Sequence, residues 1–219
     1  DPDRNVLEIG GHCGTHSLAY AHLLQCMRGQ VYVLEPQPWM YQLLVHNIKQ
    51  NRMEHKIVPL RIGLFAHNGI EHMAVSRAGD YLNVYNIGGT TLASDRTVSS
   101  SLNDHVPQQQ QKYVDVEVHT LDTLLEDVGD VGFVHCDAEG SESFIFCHGK
   151  EFLRKHRPIV FYEDNQRHNR STYVDVCKAY PHYVEEAQFQ VAEYCQKELG
   201  YRIYYPAIRE NCDDALLVP

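Results

Sequence analysis

The sequence contains no run of about eighteen apolar residues, so no stretch of it is long enough to form a membrane-spanning helix. It also lacks a secretory signal at its start, where the polar residues DPDRN lead almost directly into an apolar run. That early start leaves a targeting segment further upstream open. None of the seven cysteines, at 13, 26, 136, 147, 177, 195 and 212, forms a CxxC pair, their number is odd, and Cys136 and Cys147 lie in apolar runs. This pattern suits buried free thiols in a reducing compartment better than a disulfide framework, so a cytoplasmic protein is expected. Positive charge is scarce as well. Nineteen Lys and Arg against 29 Asp and Glu give a formal net charge of −10, which provides no footprint for the phosphates of a nucleic acid. The densest basic cluster, Arg154-Lys155-His156-Arg157, lies between a helical and a strand pattern and reads as a solvated loop. At 219 residues the chain is long enough for one well-buried domain, expected over 1–219, and too short for two of ordinary size.

What is present is concentrated near the start. Val6-Leu7-Glu8-Ile9 ends in Gly10-Gly11 and Gly14, and the following SLAYAHLLQCM repeats apolar residues at helical spacing. The pattern predicts strand, glycine turn and helix, half of a nucleotide-binding unit. Glycines are needed there because the backbone must turn sharply and admit a ligand more closely than a Cβ allows. A second strand, Val31-Tyr32-Val33-Leu34, delivers Glu35 about twenty residues past the glycines, where a carboxylate accepts hydrogen bonds from a ribose diol. The turn is not GxGxxG, the spacing that suits a dinucleotide pyrophosphate. The acidic Glu8 before it repels phosphate and attracts a cationic amino group or sulfonium, which favours S-adenosylmethionine over NAD.

Several stretches together resemble a known family. Glu8-Ile9-Gly10-Gly11-His12-Cys13-Gly14 resembles motif I of class I methyltransferases. Glu35-Pro36-Gln37-Pro38, followed by Leu43, Leu44 and Asn47, resembles the second motif of the FkbM-type methyltransferases. HTLDTLL at His119 to Leu125, and VGFVHCDAEGSESFIFCHG at Val131 to Gly149 with its Asp-x-Glu-Gly-x-Glu, are similar to that family's later pattern. The resemblance implies an α/β, Rossmann-like class I methyltransferase fold: a mostly parallel seven-stranded sheet, helices on both faces and an antiparallel last strand. It also implies S-adenosylmethionine as cofactor and methylation of a hydroxyl on a small molecule or glycan. Carried over residue by residue, the cofactor contacts are Glu8, Gly10, Gly11, His12, Gly14, Glu35, Pro36, Leu64 and Asp137. His12 departs from the family, which usually has Asn there.

Along the rest of the chain, Pro38 opens a helix to about Asn51, and Lys56 to Leu60 and Gly69 to Ser76 read as strands. Residues 78–111, rich in Asn, Ser, Thr, Gly and Gln, read as an irregular insertion of the kind that forms lids or binding loops. Tyr113 to Val118 alternates as a half-exposed strand, Thr120 to Leu125 opens a short helix, and Val131 to Cys136 and Arg157 to Tyr162 read as buried strands. A second polar insertion is expected over about 166–183, followed by one helix from Val184 to Leu199 that stops at Gly200. Two last strands, Tyr201 to Tyr205 and Ala215 to Val218, follow, joined through Asn211, Asp213 and Asp214.

In such a sheet, ligands sit outside the carboxyl ends of the strands. Asp137, Glu139 and Glu163 are therefore the candidates to orient a hydroxyl acceptor and take its proton, unless Asp137 and Glu139 cap the following helix. Asp137 with Asp164-Asn165 also resembles the Mg²⁺ ligands of catechol O-methyltransferases, a second possible chemistry. A nicotinamide-dependent oxidoreductase and a non-catalytic cofactor-binding module are the remaining alternatives. His12 and His16 have the i, i+4 spacing of zinc ligands but no intervening glutamate, and the cofactor turn explains them better. Trp39 is expected to pack over the cofactor edge.

Overall fold

The computed structural model describes residues 3–75, 112–206 and 213–219. The expected insertion over 78–111, together with Asn211 of the last turn, lies outside the described residues. Seven strands form the main sheet: β1 (Asn5–Ile9), β2 (Val31–Leu34), β3 (Ile57–Leu60), β7 (Val131–Cys136), β8 (Ile159–Glu163), β9 (Arg202–Tyr204) and β10 (Asp214–Val218). Their order is β3-β2-β1-β7-β8-β10-β9, with every pair parallel except those made by β10. Pro59, which cannot complete a central ladder, is tolerated because β3 is an edge strand.

Strand alternation separates the two faces. Val6 turns one way and packs with Val31, Val33 and Ile57 beneath Ala21 of helix α1 (Thr15–Leu23) and Leu44 and Ile48 of α2 (Pro38–Gln50). Leu7 and Ile9 turn the other way, toward α3 (Glu142–Cys147), α4 (Lys150–His156) and α7 (Val191–Leu199), joining Phe146, Phe152, Val191 and Cys195. At about 25 cal/mol per Å² of apolar area removed from water, these two layers are the main force holding helices to sheet.

The strands expected after β3 build a second sheet. Two-residue β4 (Gly63–Leu64) pairs in parallel with β6 (Lys112–His119), and β5 (Gly69–Val75) pairs antiparallel to β6, giving the order β4-β6-β5. Its apolar face buries Phe65, Met73, Val116 and Val118 against Phe144. Residues 166–183, read as a polar insertion, carry helix α5 (Ser171–Ala179), whose Val176 and Ala179, with Tyr180 behind them, complete this cluster. The helix expected from Val184 to Leu199 is two, α6 (Val184–Gln188) and α7, broken at the extended Phe189 and Gln190; α7 ends at Gly200 in the left-handed region as expected. The basic cluster is no loop either. Arg154, Lys155 and His156 form the last turn of α4, where Arg154 pairs with Glu151 and Lys155 with Glu126. Among the described residues no helix is long and apolar enough to cross a membrane.

Candidate active site

At the carboxyl ends of β1 and β2 the glycine turn takes the shape its composition requires. Gly10 and Gly14 have φ of +85° and +89°, and a Cβ on Gly10 would lie 1.9 Å from the Asp137 carbonyl oxygen. The N–H groups of Gly10 and Gly11 both donate to the Leu34 carbonyl, stitching the turn to β2. His12 also has positive φ, 48°, a conformation in which Asn and His are enriched among non-glycine residues, which accounts physically for His where the family usually has Asn. From α2, Asn47 donates to the Cys13 carbonyl at 2.8 Å, and Leu44 sits under Gly14.

Glu35 is buried, and each carboxylate oxygen already accepts one backbone N–H: Oε2 from His12 and Oε1 from Gln37, both at 2.8 Å. Burial pushes its pKa up to about 7, partly offset by those two bonds. Each oxygen keeps a second lone pair for a ligand hydroxyl.

The loop after β7 is held from its far end. Glu142 Oε1 accepts the N–H of Ala138 at 2.9 Å and of Gly140 at 3.3 Å, so the first residue of α3 reaches back to hold the loop. The N-cap of α3 is Ser141, with no side-chain capping bond, so Asp137 and Glu139 do not cap that helix. Glu139 has φ of 50°, an uncommon conformation for a residue with a Cβ. Gly140 lies so close to α5 that a Cβ would come within 2.5 Å of the Tyr173 nitrogen. The segment read as an insertion thus braces the acidic loop.

These elements enclose a cavity of about 250 Å³. Gly10, Gly11, His12, Glu35, Pro36, Leu64, Asp137 and Glu139 all line it; Ile62, Met73 and Ile145 add apolar surface. His16, assigned in the sequence to the cofactor turn, also lines it, whereas Ser141 and Met73 were not anticipated: Met73 arrives on the second sheet, and Ser141 was hidden within the acidic motif. His12 Nε2 and Ser141 Oγ are buried on this wall without a hydrogen-bond partner, as expected of groups that await a polar ligand.

Three expected site residues stand elsewhere. Gly14 shapes the turn without lining the cavity. Glu163 lines a separate small cavity with Asp164 and Asn165, and accepts from Asn165 at 2.8 Å. The Mg²⁺ set is therefore divided between two cavities, Asp137 in one and Asp164-Asn165 in the other, which does not support a Mg²⁺ site. Glu8 shares the face of Val6, so strand alternation turns it under α1, away from the cavity. There Ser17 donates to its Oε2. Trp39 is exposed and does not line the cavity.

The gathered carboxyls respond to desolvation by holding protons. Burial raises Glu139 to about 7 and Glu142 to about 8, with neighbouring Asp137 and Glu163 adding repulsion. Asp137 is open to the cavity, and the protein packed around it still raises its carboxyl.

A family model described as the methyltransferase FkbM domain matches residues 8–203. Among solved structures, the fold is similar to that of methyltransferase FkbM from Methylobacillus flagellatus KT, with TM-score 0.56 and 15% identity, covering 99% of this chain and 43% of that one. It is similar also to cofactor-bound Rv0187 from MTB, with TM-score 0.53 and 12% identity, covering 99% and 73%. The chain thus spans less than half the length of the first of these. Comparison with curated proteins returns no match.

Proposed function

This chain belongs to the FkbM methyltransferase family, and from that premise we propose that residues 1–219 form one domain that methylates a hydroxyl of a small molecule or sugar at the expense of S-adenosylmethionine. The observation that carries the reading is the cavity itself. Its lining brings together the glycine turn, Glu35, Asp137 and Glu139. The second lone pairs of Glu35 and the unpartnered His12 Nε2 and Ser141 Oγ fit a nucleoside with a polar tail. Leu64, Ile62 and Met73 offer an apolar wall to a flat base.

Bound there, S-adenosylmethionine supplies a methyl group on a positively charged sulfur, which keeps the electron pair and becomes a neutral thioether. The residues of this chain do the rest. Asp137 and Glu139 fix the acceptor hydroxyl in line with the methyl carbon and receive its proton as the new C–O bond forms, an alignment worth several kcal/mol at most about 11. A base with a pKa near 7 suits that proton transfer, and Glu139 has such a value. Glu163 stands behind them as a source of negative charge. The net charge of −10 and the cysteines that are free among the described residues support an uncharged or cationic acceptor met inside the cell.

Calorimetric titration with S-adenosylhomocysteine, with NADH as control, tests the reading. Micromolar binding of the first alone is expected; binding of NADH instead would replace methyl transfer by hydride transfer.

A further inference from the structure

Glu8, His16 and His135 converge behind the glycine turn, and we propose that they form a binding site for a single Zn²⁺-class transition-metal ion. They come from three elements, β1, α1 and β7. The parallel register sets Glu8 directly beside His135, and α1 crosses above them. One ligand atom from each lies within 4.8 Å of the others; Glu8 Oε1 is 3.8 Å from His16 Nδ1 and 3.9 Å from His135 Nδ1. Those separations are too long for hydrogen bonds, and Glu8 Oε1 and His135 Nδ1 are buried atoms with no hydrogen-bond partner. Glu8 is 1% and His135 5% exposed, so two ligand atoms are withdrawn from water and aimed at one point with nothing to satisfy them.

A cation answers both deficits. Tetrahedral coordination with bonds of ~2.1 Å puts donor atoms ~3.4 Å apart, so the Glu8 oxygen needs to close on each imidazole by about half an ångström and the two imidazole nitrogens on each other by at most about 1.4 Å. Two imidazoles and a carboxylate suit Zn²⁺ rather than the all-oxygen shells of Mg²⁺ or Ca²⁺. The orienting partner that metal-bound carboxylates usually have is present, since Ser17 donates to the other oxygen of Glu8. Three protein ligands leave a fourth position to water, and His16, whose side chain is 60% exposed, marks the way in.

The site has a structural rationale. In α1 only Ser17 and Ala21 are buried, a thin apolar contact for a nine-residue helix. A metal joining His16 to β1 and β7 fastens the helix, and with it the turn that begins at Gly10.

The full chain, freed of metal with chelator, is titrated with Zn²⁺ in the presence of excess Mg²⁺, and X-ray absorption gives the ligand atoms. One equivalent is expected, with two imidazole nitrogens, oxygen and no sulfur, and a rise in Tm. In His16→Ala, an exposed position whose truncation leaves the core intact, binding weakens at least tenfold and the Tm rise disappears; Glu8→Gln behaves alike. Absence of a stoichiometric Zn²⁺, sulfur in the coordination shell, or equal affinity in His16→Ala overturns the site. Affinity for S-adenosylhomocysteine of the metal-free protein is a separate reading, so either assignment stands or falls alone.

Discussion

The backbone N–H of His12 donates to Glu35 Oε2 at 2.8 Å, so the carboxylate at the end of β2 holds the glycine turn at the end of β1 in shape. The same side chain faces the cavity. Building the site and binding in it therefore draw on one residue.

Replacing Glu35 by Ala removes two charge-assisted acceptors and any bond to a ligand diol. Affinity for S-adenosylhomocysteine is expected to fall by about 1–3 kcal/mol, measured by calorimetry. An unchanged affinity would move the nucleoside away from β2.

Glu35 also predicts a pH dependence of stability. Burial pushes its pKa up to about 7 from the ordinary 4.5 of a glutamate, so the native state keeps a proton that the unfolded chain gives up. Its contribution is complete below about 4.5 and is lost as pH rises toward about 7, on the order of 3 kcal/mol at about 1.4 kcal/mol per unit. Glu142 and Glu139 add slopes of the same sign, so the difference between the wild type and Glu35→Gln isolates the residue. Urea unfolding across this range should show the wild type losing stability relative to the variant; parallel profiles would mean that Glu35 is ionised throughout.

Glu139→Gln keeps the shape of the acidic loop and removes its proton acceptor. Once a hydroxyl acceptor is in hand, kcat should drop by about 10²–10⁴ while the affinity for S-adenosylhomocysteine stays within a few fold. The wild-type rate should climb with pH to a limb near about 7. If kcat is retained, Asp137 is the base.

At Gly140, φ is +94° and the Tyr173 nitrogen stands 2.5 Å from where a Cβ would be. Gly140→Ala combines backbone strain with overpacking and should cost about 2–4 kcal/mol in denaturant unfolding. A cost under ~1 kcal/mol would mean that α5 is free to retreat from the acidic loop.

The readable part of the fold is the part encoded locally. The glycine turn, β2 with Glu35, and α2 with Leu44 and Asn47 each announce themselves within a few residues, because turn chemistry and helical periodicity are short-range signals. The partners of Glu8 were out of reach. His135 stands next to it only because β7 lies beside β1 in the sheet order, a relation no local pattern carries. The second sheet was hidden for the same reason, since Leu64 meets His119 across more than fifty residues. Helix α5 did leave a signal: Val176, Ala179 and Tyr180 stand three and four residues apart, but the polar residues around them masked the stripe. The break between α6 and α7 had none, because Phe189 continues the apolar pattern through it.

The insertion of β1 between β2 and β7 also has a consequence for biosynthesis. Asn5 and Val131 are register partners, so one flank of β1 waits for residues made more than a hundred positions later. While the chain is still leaving the ribosome, β1, β2 and β3 can associate, but β1 shows an open row of N–H and C=O groups until β7 emerges. Distant pairing of this kind slows folding, and an unpaired flank invites other strands. The glycine turn is thus complete in sequence long before it is complete in space, and in that interval the flank of β1 stands open to mispairing.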